Sequence, residues 1–133
     1  MLYFDTKTKQ IQLNRGDSAD MTITAKDTSG QDYTFQVNDV IKFKLSEEKK
    51  ENNVIIEKSI TIQEETTSVH LYLSSSETKI GEIINKPITY WYEISLEKNN
   101  GDVLTIIGYD KQGAKEFILN PEAGNKEISG NND

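Results

Sequence analysis

Apolar and polar side chains alternate one for one along most of this chain. Met21, Ile23 and Ala25 alternate with Thr22, Thr24 and Lys26, and Tyr33, Phe35 and Val37 with Thr34 and Gln36. Ile41, Phe43 and Leu45 alternate with Lys42 and Lys44, and Val69, Leu71 and Leu73 with His70 and Tyr72. The longest run sets Ile88, Tyr90, Tyr92, Ile94 and Leu96 against Thr89, Trp91, Glu93 and Ser95. A period of two puts successive side chains on opposite faces of a β-strand, so each run predicts a strand with one buried and one wetted face. The abundance of Thr, Ile, Val and Tyr in these runs agrees.

Turn-forming residues separate the runs. Asp27-Thr28-Ser29-Gly30 and Asp110-Lys111-Gln112-Gly113 read as turns. Asn99-Asn100-Gly101-Asp102 is the strongest hairpin signal, because Asn-Gly tolerates the positive φ angles that a tight turn requires. Strands spaced about ten residues apart point to a sandwich or barrel rather than to βαβ units, and the short turns with a single crossover near 74–86 predict two packed sheets. Two segments break the alternation. Residues 46–53 form a charged loop, and residues 74–86 hold one helical turn, capped by Ser75 or Ser76 and ended by Gly81. The expected fold is therefore an all-β, immunoglobulin-like antiparallel β-sandwich with one short helical turn near 75–81. Residues 1–122 form the single domain and residues 123–133 a polar tail or linker, in which Ile128 is the one large apolar side chain.

At 133 residues the chain is long enough to bury a core without disulfides or a structural metal. It has no cysteine, which excludes a disulfide framework, a cysteine nucleophile and cysteine-ligated zinc. Its net charge of −7 argues against nucleic acid and anionic membrane surfaces as partners. The one dense basic stretch, within Glu47-Glu48-Lys49-Lys50-Glu51, is balanced by its own acids. The segment Met1-Leu2-Tyr3-Phe4-Asp5 lacks the features of a signal peptide, and no run approaches the roughly 18 apolar residues of a membrane span. The expectation is a soluble protein made in a cytoplasm.

Candidate chemistry is sparse. His70 is the single histidine, and the strand register turns it away from Val69 and Leu71, so it reads as a solvent-facing residue rather than a triad base. Asp5, Asp17, Asp20, Asp27 and Asp32 cluster loosely near the N-terminal turns but lack EF-hand spacing, and turn chemistry accounts for Asp27 and Asp32. The pairs Glu47/Glu48 and Glu64/Glu65 read as solvated acids rather than a glycosidase pair. Gly101, Gly108 and Gly113 make no phosphate-binding motif. Arg15-Gly16-Asp17 reads as a chain turn rather than an adhesive tripeptide. No catalytic, cofactor or metal residues are expected, and no enzyme activity.

Trp91 is the informative side chain. If Tyr90, Tyr92, Ile94 and Leu96 face the core, Trp91 faces outward, and tryptophan is enriched at interface centres. Three readings stand: an oligomer contact, which is favoured; a sugar-stacking platform; or a reversed register with Trp91 in the core. In the last, Tyr90 or Tyr92 serves as a tyrosine corner.

The order of motifs resembles the N-terminal domain of the baseplate upper protein family of phages that infect Gram-positive bacteria. The resemblance rests on Asn14-Arg15-Gly16-Asp17-Ser18, Asp27-Thr28-Ser29-Gly30, Asp39-Val40-Ile41-Lys42-Phe43-Lys44-Leu45 and Leu71-Tyr72-Leu73. It continues through Ser76-Glu77-Thr78-Lys79-Ile80, Tyr90-Trp91-Tyr92-Glu93-Ile94-Ser95-Leu96, Asn100-Gly101-Asp102, Leu104-Thr105-Ile106, Gly113 and Phe117-Ile118-Leu119, covering residues 10–121. It implies a structural protein of a virion tail, made in the host cytoplasm, that forms a homo-oligomer and contacts other baseplate proteins. Family members continue into long C-terminal regions, so a chain ending in a polar tail is either a small stand-alone tail protein or a fragment. The alternative is a carbohydrate-binding or host-adhesion module, in which Trp91, Tyr72 and Tyr109 stack on cell-surface polysaccharide.

Overall fold

The computed structural model describes residues 2–47, 54–81 and 85–122. Within them the chain forms nine strands: β1 (Tyr3–Phe4), β2 (Ile11–Asn14), β3 (Ala19–Ile23), β4 (Val40–Ser46), β5 (Val54–Thr61), β6 (Val69–Leu73), β7 (Ile88–Glu97), β8 (Val103–Ile107) and β9 (Lys115–Asn120). Seven build one sheet in the order β1-β2-β9-β7-β4-β5, with β8 also paired to β7; β3 and β6 form a separate two-stranded sheet.

The ten-residue strand β7 organises the large sheet. It pairs antiparallel with β4 from Trp91 to Glu97 along one side. Its other side is shared: Ile88–Tyr92 pair with β9 and Ile94–Glu97 with β8. Strands β8 and β9 thus act as one long return strand interrupted by a turn. That turn has two local causes. Gly108 sits where a Cβ would stand 2.6 Å from Thr105 Cγ2 and 3.2 Å from Glu93 Cγ, so only glycine brings the backbone this close. The buried Lys115 then reaches back, its Nζ 2.6 Å from Asp110 Oδ1 and 3.2 Å from the Gly113 carbonyl, and pins the loop.

The alternating residues meet in one core. Phe43, Leu45, Phe117, Leu119, Leu13, Tyr92, Ile94 and Leu96 from the large sheet pack in the same buried cluster as Ile23, Val69, Leu71 and Leu73 from the small one. The Phe43 ring lies 6.0 Å from Tyr92 and 6.5 Å from Phe117, centre to centre. Phe35 is fully buried although Tyr33–Val37 forms no strand. Residue 33 donates its amide to the Ala25 carbonyl, and Phe35 exchanges two backbone bonds with Thr66, so this segment wedges between the end of β3 and the chain entering β6.

The structure corrects the expected antiparallel immunoglobulin-like sandwich with a helical turn in two respects. First, the large sheet is mixed: β2 runs parallel to β9, from Ile11 opposite Phe117 to Asn14 opposite Asn120. Second, there is no helix among the described residues, and the segment expected to hold a helical turn near 75–81 makes hydrogen-bonded turns instead. The start signal is present one residue early. The Ser74 amide donates to Glu77 Oε1 and the Glu77 amide to Ser74 Oγ, the reciprocal pair that caps a helix. Propagation fails because the following side chains bond to other segments. Ser75 Oγ donates to the Gly16 carbonyl, and the buried Thr78 hydroxyl donates to the Asp17 carbonyl while accepting from the Gly16 amide. Gly81 then takes φ +67°. The proposed tail, residues 123–133, and most of the charged loop, residues 48–53, lie outside the described residues.

Candidate interaction surfaces

Each residue singled out by the sequence has a defined place. Trp91 lies half-buried on the outer face of the large sheet, opposite Ser46 of β4 and Glu116 of β9, between the buried Tyr90 and Tyr92. The Tyr92 ring is in the core, and its hydroxyl donates to the Lys9 carbonyl in the β1–β2 connection, tying β7 to the N-terminal hairpin. Burial raises the Tyr92 hydroxyl well above the ordinary tyrosine range.

Tyr72 is exposed on β6, flanked by the buried Leu71 and Leu73, so it faces outward from the small sheet. The two sheets enclose one core, which places Tyr72 and Trp91 on opposite sides of the molecule. Tyr109 is 76% exposed in the β8–β9 turn. It follows Gly108, where an added Cβ would stand 3.2 Å from Glu93 Cγ, two residues along β7 from Trp91. Tyr72 therefore does not join Trp91 in a row.

The polar candidates are occupied locally. His70 Nδ1 lies 3.1 Å from Asp20 Oδ1 on the exposed face of the small sheet. Asp5 accepts from the Lys7 and Thr8 amides, and Asp27 from Ser29 and Gln31; these bonds hold both carboxyls below their ordinary range. Asp32 pairs with Lys26 at 2.5 Å. Glu64, Glu65 and Glu47 are exposed. Among the described residues, no three of His, Asp and Glu gather where they could hold a metal ion. Arg15 is buried beneath the β2–β3 turn, donating to the Ile80 and Gly81 carbonyls and pairing with Glu122.

Two features carry no signal in the alternation. One is the buried Asp39, which accepts from the Tyr33 hydroxyl and from the Gln36 and Asn99 amides. It ties the β3–β4 connection to the β7–β8 turn, two segments that the sequence presents as unrelated.

The other is a cavity of about 860 Å³ between the two sheets. Its floor includes Ile11, Tyr92 and Ile94 of the large sheet, and its rims are the runs Asp20–Thr28 and Leu104–Ile107. It arises because seven strands on one side are covered by two on the other. Among described residues, eight large apolar side chains are exposed, and six of them lie on strands with an unpaired side: Tyr3 and Phe4 on β1, Val54 on β5, Tyr72 on β6, and Val103 and Leu104 on β8.

No protein-family model, curated protein or solved structure matches this chain.

Proposed function

We propose that the chain is a non-enzymatic structural protein of a phage tail baseplate that works by subunit assembly. Two supports are independent. The order of motifs from Asn14 to Leu119 resembles the baseplate upper protein family and supplies the particle. The observation that carries the assembly half is the concentration of exposed apolar side chains on strands with a free side, Tyr3, Phe4, Val103 and Leu104 foremost. Free strand edges pair readily with other chains, and monomeric proteins blunt them with charge, proline or bulges. Strand β8 carries one irregularity, where its pairing with β7 skips Ile106, yet it presents Val103 at 64% and Leu104 at 48% exposure.

Light scattering across a concentration series tests the reading. The expected result is a mass that rises to a multiple of 15.1 kDa, and returns to a single chain in the variant Val103→Glu/Leu104→Glu. A single chain at every concentration contradicts self-assembly. A sugar platform built from Trp91, Tyr72 and Tyr109 together is not pursued, because Tyr72 faces the other side of the core.

A further inference from the structure

The rims of the cavity are strand edges, not strand faces. A strand that shows a cavity one face contributes every second residue. Here four consecutive strand residues border the space at each rim, Asp20–Ile23 of β3 and Leu104–Ile107 of β8, and Thr24–Thr28 continue the first rim into the turn that follows. Both rims therefore turn their edge toward it, and the pairing agrees. Among the described residues, strand β3 pairs with β6 alone and β8 with β7 alone. Beyond Ile23, residues 33–35 fill in on the β6 side, through the bonds to Ala25 and Thr66, which leaves the other side of β3 without a strand partner among the described residues. The cavity is a slot for one more strand.

The shape of the slot selects its occupant. The large sheet extends past β3, with Leu2 and Phe4 beside the floor, so a second folded domain offering one of its internal strands meets this overhang. A single extended chain does not. Charge adds a requirement. The protein carries −7 overall, yet two lysines line the slot with no ion pair to a carboxylate among the described residues. Lys9 Nζ donates to the Thr6 carbonyl and lies 5.8 Å from the centre of the Phe4 ring; Lys98 Nζ lies 5.4 Å from that of Tyr33. The other charges at the rim are already engaged: Lys26 by Asp32, Asp20 by His70, Asp27 by its own turn. Tyr92, bonded to the Lys9 carbonyl, and Lys98 are six residues apart along the chain, so the backbones that carry the two lysines are separated by roughly 20 Å, the span of about six extended residues.

We infer that this slot receives an extended segment of a partner polypeptide, which adds as a strand to the free edge of β3. Its alternate apolar side chains lie on Ile11, Ile94 and Ile106, and an acidic side chain near each end meets Lys9 and Lys98. This is strand addition, in which backbone bonds supply affinity and alternate side chains supply specificity. The inference deepens the assembly reading and rests on it only for the origin of the segment.

The probe is an acetylated, amidated heptapeptide with glutamate at each end and alternating valine and threonine between, titrated into the ¹⁵N-labelled chain. Saturable binding is expected, with amides of Asp20–Thr24 gaining protection from hydrogen exchange. Binding should weaken at least tenfold when the two glutamates become lysines, and about as much in the Lys9→Gln/Lys98→Gln variant. Both lysines are half-buried, and an unchanged spectrum of the free variant establishes that it folds. Absence of saturable binding at millimolar peptide overturns the inference. So does binding that ignores the lysines, or that leaves the β3 amides untouched. The two readings fail separately: a chain that binds the peptide but never self-associates removes self-assembly and keeps the slot, whereas a chain that self-associates without binding it does the reverse.

Discussion

Strands β7 and β3 show the same one-for-one alternation and live in opposite circumstances. The ten residues of β7 have a neighbour on both sides almost throughout, and Tyr90, Tyr92, Ile94 and Leu96 are all buried. Among the described residues strand β3 has a neighbour on one side only; Ala19 and Ile23 are buried, and Met21 between them is only half-buried. The pattern of side chains reports which face of a strand meets the core. It is silent about the strand's edges, because the groups that pair there belong to the backbone and are the same for every residue. In this protein the edges carry the functional argument.

The contrast predicts unequal costs for comparable changes. Phe43→Ala, in the centre of the large sheet between Tyr92 and Phe117, should destabilise the fold by about 3–5 kcal/mol in denaturant unfolding. Met21→Ala on β3 should cost about 1 kcal/mol, since its side chain is only partly removed from water. Equal losses would mean that the small sheet is packed as tightly as the large one.

Asp39→Ala should cost about 2–3 kcal/mol, because three donors lose a charged acceptor in a buried site, while Asp39→Asn should recover part of that loss. Gly108→Ala should cost about 1–3 kcal/mol by pushing Thr105 away from the return strand. Its damage should appear as faster amide exchange in β8 while β4 is unaffected.

The pH dependence should be asymmetric. Burial raises Tyr92 in the folded state, and Tyr33 and Tyr90 are raised for the same reason. Their contribution is complete below the ordinary tyrosine range and is lost as pH rises above about 10, where the unfolded chain ionises first. Tyr92→Phe should flatten this alkaline loss and should cost about 1 kcal/mol at neutral pH from the lost bond to the Lys9 carbonyl. At the acid end, the Ser74 amide and Lys58 hold Glu77 below its ordinary range. Its contribution is present above that range and declines as pH falls through and below it. Glu77→Gln should shrink the acid loss, and the effect is the smallest of this set because the carboxylate is well solvated.

Much of the fold was legible in the chain for the same reason that its edges were not. Ile41–Leu45, Val69–Leu73 and Ile88–Leu96 are strands where the alternation puts them, and Gly30, Gly101 and Gly113 adopt the positive φ angles of turns. Tyr33–Val37 alternates equally well yet forms no strand, because two backbone bonds to Thr66 and the pull of Asp39 bend it into a connection. The parallel pairing of β2 with β9 joins residues about a hundred positions apart, and nothing in either tetrad of side chains encodes direction. The helical turn expected near 75–81 failed because Ser75 and Thr78 found partners at Gly16 and Asp17, some sixty residues upstream. Trp91, Tyr72 and Tyr109 were visible as unusual residues, but their distribution over two faces depends on which sheet each strand joins. The slot beside β3 had no sequence signature, since it is a place where a strand is missing.

The most direct test of the account compares hydrogen exchange in the dilute chain and in its assembled form, amide by amide. If assembly runs through open edges, protection rises at β1, β3 and β8 and stays unchanged along β4 and β7, which are already paired on both sides. Protection that leaves β1, β3 and β8 as they were, and that appears only around Trp91 on the outer face, would contradict it.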